Sequence, residues 1–126
     1  MKWARNPTTF TPTSGTNVQI TGATVTFTLA SPGVAFVQSI VSVGAAGDTE
    51  IQPSIFLDGV LYYNQNTPAA TVASGRAVQR TASTMVNIPA GTHTLGAGVL
   101  VAGSSGYSVI GGAGSITAMV FGNVTA

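Results

Sequence analysis

Charge is what this 126-residue chain has least of: four Lys or Arg, three Asp or Glu and one His, so only 6% of residues are charged. An ordinary soluble domain carries roughly 25%. A free monomer normally stays soluble by displaying mixed charges. Two explanations follow: Ser, Thr, Asn and Gln replace charge on a monomer's surface, or sister subunits cover much of that surface, since obligate interfaces are depleted in charge. Assembly into an oligomer is the expectation. The basic residues Lys2, Arg5, Arg76 and Arg80 form no stripe that could follow a phosphate backbone, so nucleic acid is not expected as a partner. Cysteine is absent altogether, which excludes disulfides, iron–sulfur clusters and thiolate zinc sites. Asn6, Pro7 and Thr8 interrupt the opening residues where a secretion signal would need an apolar run, and no stretch of about 18 apolar residues offers a membrane-spanning helix. The expectation is a protein made in a cytoplasm and built into something larger, with no membrane partner.

Helical patterning is missing as well. No segment sets apolar residues at i, i+3, i+4 and i+7 between caps, so essentially no helix is predicted. What is present is short-period alternation and turn chemistry, with hydrophobic residues at 44% and 16 glycines. Residues 1–16 read as an extended N-terminal arm, holding Pro7, Pro12 and the single Trp3, with residues 17–126 as one domain. Thr24-Val25-Thr26-Phe27-Thr28-Leu29 alternates polar and apolar, so Val25, Phe27 and Leu29 should face a core. Ser31-Pro32-Gly33 is a turn. Residues 34–43 are apolar on both faces, as in a central strand or one covered by a neighbouring subunit. Residues 44–48 read as a Gly/Ala loop and 51–57 as a strand, with Pro53 pointing to an edge or bulge. Asp58-Gly59 between apolar runs is a strong hairpin signal, because a type I′ turn needs φ > 0 at both positions. Residues 64–75 look like a polar loop. Residues 76–88, 92–95, 99–102, 107–110 and 116–121 look like further strands, divided by Pro89-Ala90-Gly91 and by glycine-rich stretches at 103–106 and 111–114. About eight short antiparallel strands with regular turn signals predict an all-β, two-sheet sandwich, most simply a jelly roll.

Three segments carry a resemblance. Ile88-Pro89-Ala90-Gly91-Thr92-His93-Thr94-Leu95, with Phe56-Leu57-Asp58-Gly59 upstream and the apolar run Ile116-Thr117-Ala118-Met119-Val120-Phe121 near the end, resembles small jelly-roll domains of tailed-bacteriophage virion proteins. Those domains are similar to the tumour-necrosis-factor and C1q folds. The resemblance covers about residues 24–121 as a pattern and implies a compact homotrimer on a virion surface. Many such domains are the tips of longer fibre proteins, whereas here only a short arm precedes the sandwich, which favours capsid decoration or a head fibre.

Catalytic chemistry is not legible. His93 stands beside Thr92 and Thr94, plausible hydrogen-bond partners but poor metal ligands, and reads as a structural histidine bonding a loop carbonyl. Asp58 is explained by its turn. Asp48 and Glu50 could hold a surface cation or pair with Arg76 or Arg80. The 111–114 stretch lacks the Lys and following helix of a phosphate-binding loop, and no serine has an activating His–acid pair. No enzyme activity and no cofactor or metal are expected.

Two candidate binding regions remain. Lys2, Trp3 and Arg5 could anchor the arm to a major capsid or other virion protein, since Trp and Arg concentrate at interface hot spots, or the terminus could simply fray. Tyr62, Tyr63, Asn64 and Asn66, with Gln65 between, form an aromatic and amide-rich stretch of a kind that contacts sugars; alternatively one Tyr faces the core and the other a neighbour. Two functions follow: a trimeric jelly roll that decorates or cements a phage capsid, or the receptor-binding tip of a tail or head fibre recognising a host-surface glycan or protein. A secreted or spore-surface C1q-like protein is a third reading.

Overall fold

The computed structural model describes residues 1–5, 7–12, 15–66, 70–103, 108–111 and 114–122, without side-chain surroundings at 46, 47 and 70–75. Among the described residues eight strands run in chain order: β1 (Lys2–Arg5), β2 (Val18–Leu29), β3 (Gly33–Leu57), β4 (Val60–Asn64), β5 (Ala70–Ile88), β6 (Gly91–Ala102), β7 (Ser108–Val109) and β8 (Ser115–Phe121). All pairings are antiparallel. No helix occurs among the described residues, as the missing 3.6-residue period predicts.

The 25-residue β3 belongs to both sheets. Its first half, to Thr49, lies between β8 and β5, with β1 beyond β8 and the short β7 continuing the β8 side. Its second half, from Glu50, lies between β6 and β4, with β2 beyond β6. The first sheet therefore reads β1-β8-β3-β5 and the second β2-β6-β3-β4. If the halves of β3 are counted separately and β7 is set aside, the first strand pairs with the eighth, the second with the seventh, the third with the sixth and the fourth with the fifth. That nesting is the wrap of a jelly roll.

The sandwich core forms where the alternating faces meet. Val25, Phe27 and Leu29 of β2 are buried as their alternation predicts, against Ala35, Val37, Val41 and Val43 of β3, Leu95, Ala97 and Val99 of β6, and Ile116 and Ala118 of β8. The Asp-Gly turn is also as expected: Asp58 has φ 52° and Gly59 φ 79°, and Leu57 opposes Val60.

Three expectations need correction. Residues 44–48 are not a loop; β3 continues through them, still paired with β5, with a register irregularity between Ala45 and Gly47, before it passes to the second sheet at Glu50. The predicted loop at 64–75 is shorter, because β5 already begins at Ala70 against Thr49. The N-terminal arm is not free. Lys2–Arg5 pairs with Ser115–Ala118 as an edge strand, Phe10 exchanges two backbone hydrogen bonds with Val109, and Gly15 N donates to Val101 O at 2.9 Å. Ala4 and Phe10 pack on the core. The predicted strand residue Tyr107 and most of the glycine-rich stretches fall outside the described residues.

Pro53 pairs with Val99 of β6 on one side and stands on the other just before the β4 ladder begins. The ladder tolerates it because the β4 pairing starts only at Ser54, and on that side Pro53 is needed solely as an acceptor, from Gln65 N at 2.9 Å. Continuity of β6 through Gly96 and Gly98 has a packing cause. On the outer face of the second sheet the buried Phe56 lies against Gly98, where an added Cβ would collide with Phe56 Cε1 and Ser54 Oγ, while a Cβ on Gly96 would meet Gln19 and Thr24. Gly98→Ala should therefore cost about 1–3 kcal/mol of stability, measured as a lowered urea midpoint. Shortening the ring in Phe56→Leu should recover part of that loss in the double variant.

Candidate functional site

Three turns meet at one end of the sandwich: residues 30–32 between β2 and β3, Asp58-Gly59 between β3 and β4, and Pro89-Ala90 between β5 and β6. His93, three residues into β6 and opposite Phe27, reaches two of them. Its Nδ1 lies 2.7 Å from Asp58 Oδ2 and its Nε2 3.3 Å from Ala90 O. Asp58 Oδ1 accepts the Thr94 N–H at 2.9 Å, and Asp58 N donates to Thr94 O at 2.8 Å. The β3–β4 hairpin is thereby clipped to β6. The expectation of a structural histidine bonding a loop carbonyl fits this geometry, but Asp58 does more than make its turn. The chain does contain a His–acid pair.

The pair is not set up for catalysis. Both ring nitrogens face oxygen acceptors, so each is best satisfied by an N–H and the ring favours its protonated form. Asp58, by accepting a hydrogen bond, holds His93 above its ordinary value, with burial opposing and the Ala90 carbonyl assisting. The His93 N–H, followed by the Thr94 N–H, holds the Asp58 carboxyl below its ordinary value. A general base needs a free nitrogen within reach of a nucleophile. Here Nε2 is directed at a carbonyl, and the neighbouring Thr92 and Thr94 hydroxyls bond Thr28 at 2.9 Å and Thr26 at 3.1 Å across the β2–β6 pair. A shallow depression at the same end is lined by Pro32, Gly33, Val34, Asn87, Ile88 and Pro89, which offer no titratable group.

The predicted binding residues are placed as follows. Of the arm residues, Lys2 turns inward and its Nζ donates to Thr26 O at 2.6 Å, linking β1 to β2 across the sandwich. Trp3 and Arg5 alternate with it and stand exposed on the outer face of the first sheet, the guanidinium 5.6 Å from the ring centroid. Tyr62 is the extra residue of a bulge in β4, because Ile55 opposes Tyr63 while Phe56 opposes Leu61; its hydroxyl accepts the Asn87 N–H at 3.4 Å. Tyr63 packs on the core and its hydroxyl donates to Gln65 Oε1 at 2.5 Å. Asn64 Nδ2 donates to Asn17 Oδ1 at 2.9 Å, and Asn66 Oδ1 accepts from Gln52 Nε2 at 3.1 Å. The amides are thus largely bonded within the fold. Glu50 accepts from Gln52 Nε2. Among the described residues no three His, Asp or Glu side chains gather where they could hold a metal.

Sequence reasoning missed one surface. Phe36, Met85, Met119 and Phe121 stand exposed together with Trp3 on the outer face of the first sheet. The signal was there in residues 34–43, apolar on both faces, but only the register reveals which neighbours continue the patch.

No protein-family model matches this sequence, and no curated protein matches it. Solved structures do. A chain in the structure of infectious bursal disease virus, Gt strain, superposes with a TM-score of 0.60 at 10% identity, over 96% of this chain. One from the Gx strain gives 0.51 at 10% identity, over 99%. The chain spans about a third of the length of those viral chains, 32% and 36%. The catalytic domain of a GH87 α-1,3-glucanase matches at 23% identity but with a TM-score of 0.33, too low to support an argument. The likeness to the viral chains is one of fold: a β-sandwich of the kind found in a virus structure.

The His93–Asp58 pair gives stability a defined pH dependence. The His93 contribution is complete below its ordinary value of 6.5 and fades as pH rises through the elevated one; the Asp58 contribution is complete above 3.8 and fades as pH falls through the lowered one. The melting temperature should therefore be higher at pH 5.5 than at pH 9. His93→Ala should cost about 1 kcal/mol at pH 5.5, modest because Asp58 is half-exposed, and should flatten the alkaline decline. An equal decline in the variant would show that the pair is not its source.

Proposed function

We propose that this chain is a non-enzymatic structural subunit of a virion: a jelly roll that assembles as a trimer and decorates or cements the capsid of a tailed bacteriophage. The observation that carries the reading is the likeness to a chain of a virus structure along nearly the whole domain. The scarcity of charge supports it, since a surface so poor in Lys, Arg, Asp and Glu suits burial against other subunits. So does the doubly engaged imidazole, which leaves neither ring nitrogen of His93 free to act as a base. The Asp58-Gly59 turn and the Pro89–Leu95 stretch, which carry the resemblance to phage jelly rolls, are joined through His93. The receptor-tip reading gains less, since the amides around Tyr62 are engaged inside the fold.

Removing residues 1–12 would not isolate an attachment segment, because it deletes β1 and Phe10 from the folded unit. A better test leaves the chain whole. Sedimentation at micromolar concentration should give a mass of three 12.6 kDa chains, and gradient-purified particles from producing cells should bind an antibody to the chain without being disrupted. A monomer, or particles that lack the chain, would overturn the proposal.

A further inference from the structure

The first sheet has an inner face on the core and an outer face on which Phe36, Met85, Met119, Phe121 and Trp3 stand exposed among the described residues. On the outer face Phe36 stands between Met119 of β8 and Met85 of β5, its partners on either side. In the next row Val34 stands between Phe121 and Asn87, and Trp3 lies one row back, opposite Thr117. Trp3 is 61% exposed, Phe121 52%, Met85 51%, Phe36 43% and Met119 39%. Side chains of this size present about 150–250 Å² each, so the group leaves about 500 Å² of apolar surface in water. That is near the upper end of what a monomer shows in one patch.

Resting on the reading of this chain as an assembling subunit, we infer that the patch is covered by the same patch of a second copy, related by a two-fold axis at Phe36. Three observations select that occupant. The row Met119-Phe36-Met85 reads the same in either direction, so rotation about Phe36 sets Met85 of one copy over Met119 of the other. Methionine side chains adapt readily to such a partner. The rows between β8 and β5 carry no charge from Val34 to Ile40, and Arg5 stands outside them on β1, so the centres of two identical faces meet without like-charge repulsion. With the flanking Gln38, Thr81, Ser83 and Thr117, the face approaches the roughly 800 Å² per partner of a stable interface. A two-fold contact is distinct from the three-fold of the proposed trimer and would join trimers face to face.

Sedimentation across a concentration series tests this. The wild-type chain should pass from three to six copies as concentration rises. Phe36→Thr with Met85→Thr should raise the dissociation constant of that step about 30-fold or more, and Met119→Thr with Phe121→Thr on the neighbouring strand should do the same, so the result does not hang on one variant folding. If both folded pairs associate like wild type, or if the wild type forms no even-numbered species at millimolar concentration, the two-fold face is wrong while the trimer stands. A dimer that either pair splits into monomers keeps the face and overturns the trimer. A wild-type monomer at every concentration overturns both.

Discussion

Every strand of this sandwich except β1 and β2 is hydrogen-bonded to β3, and those two pair with strands that are. One continuous strand crossing from sheet to sheet fixes how the two layers sit upon each other, because its halves cannot turn independently. The core follows from that constraint: Val37 and Val41 face it from one layer, Ile51 and Ile55 from the other, along a single run of backbone. The strand changes layer after Thr49, just beyond the register irregularity between Ala45 and Gly47 in its Gly/Ala stretch.

The end of the sandwich shows how a few polar groups work where charge is scarce. Asp58 is placed by the turn it makes, and the same turn sets its carboxylate against His93 and Thr94. The histidine completes the link by bonding the carbonyl of Ala90, at the far side of the Pro89 turn. Two segments more than thirty residues apart in the chain are thus one structural unit, which accounts for their reading as a joint pattern.

Much of the fold was legible because its signals are local. Alternation in residues 24–29 revealed one face of β2, and Asp-Gly revealed a hairpin, since each depends only on neighbours in the chain. What stayed hidden depends on pairing at a distance. Residues 92–95 and 99–102 read as separate strands, yet Gly96 and Gly98 join them into one, packed against Gln19 and Phe56 respectively, and nothing adjacent in the chain announces that. Lys2–Arg5 is too short to show a period, and only Ser115–Ala118 makes it a strand. The candidate binding residues suffered likewise. Lys2, Trp3 and Arg5 looked like one cluster, but strand alternation sends Lys2 to one face and the other two to the opposite one.

The pairing of β1 with β8 also bears on the order of folding. Lys2 must find Ala118, nearly the whole sequence away, before the first sheet is complete. Closing so long a loop costs entropy that local contacts cannot offset beforehand, and topologies rich in such pairings fold slowly. During synthesis Lys2–Arg5 would emerge well before its partner and wait for residues 115–118, leaving the edge of β8 to be closed late. Until then that edge is open to a strand from another chain. Assembly and folding would thus compete for the same edge in the interval before Lys2–Arg5 docks.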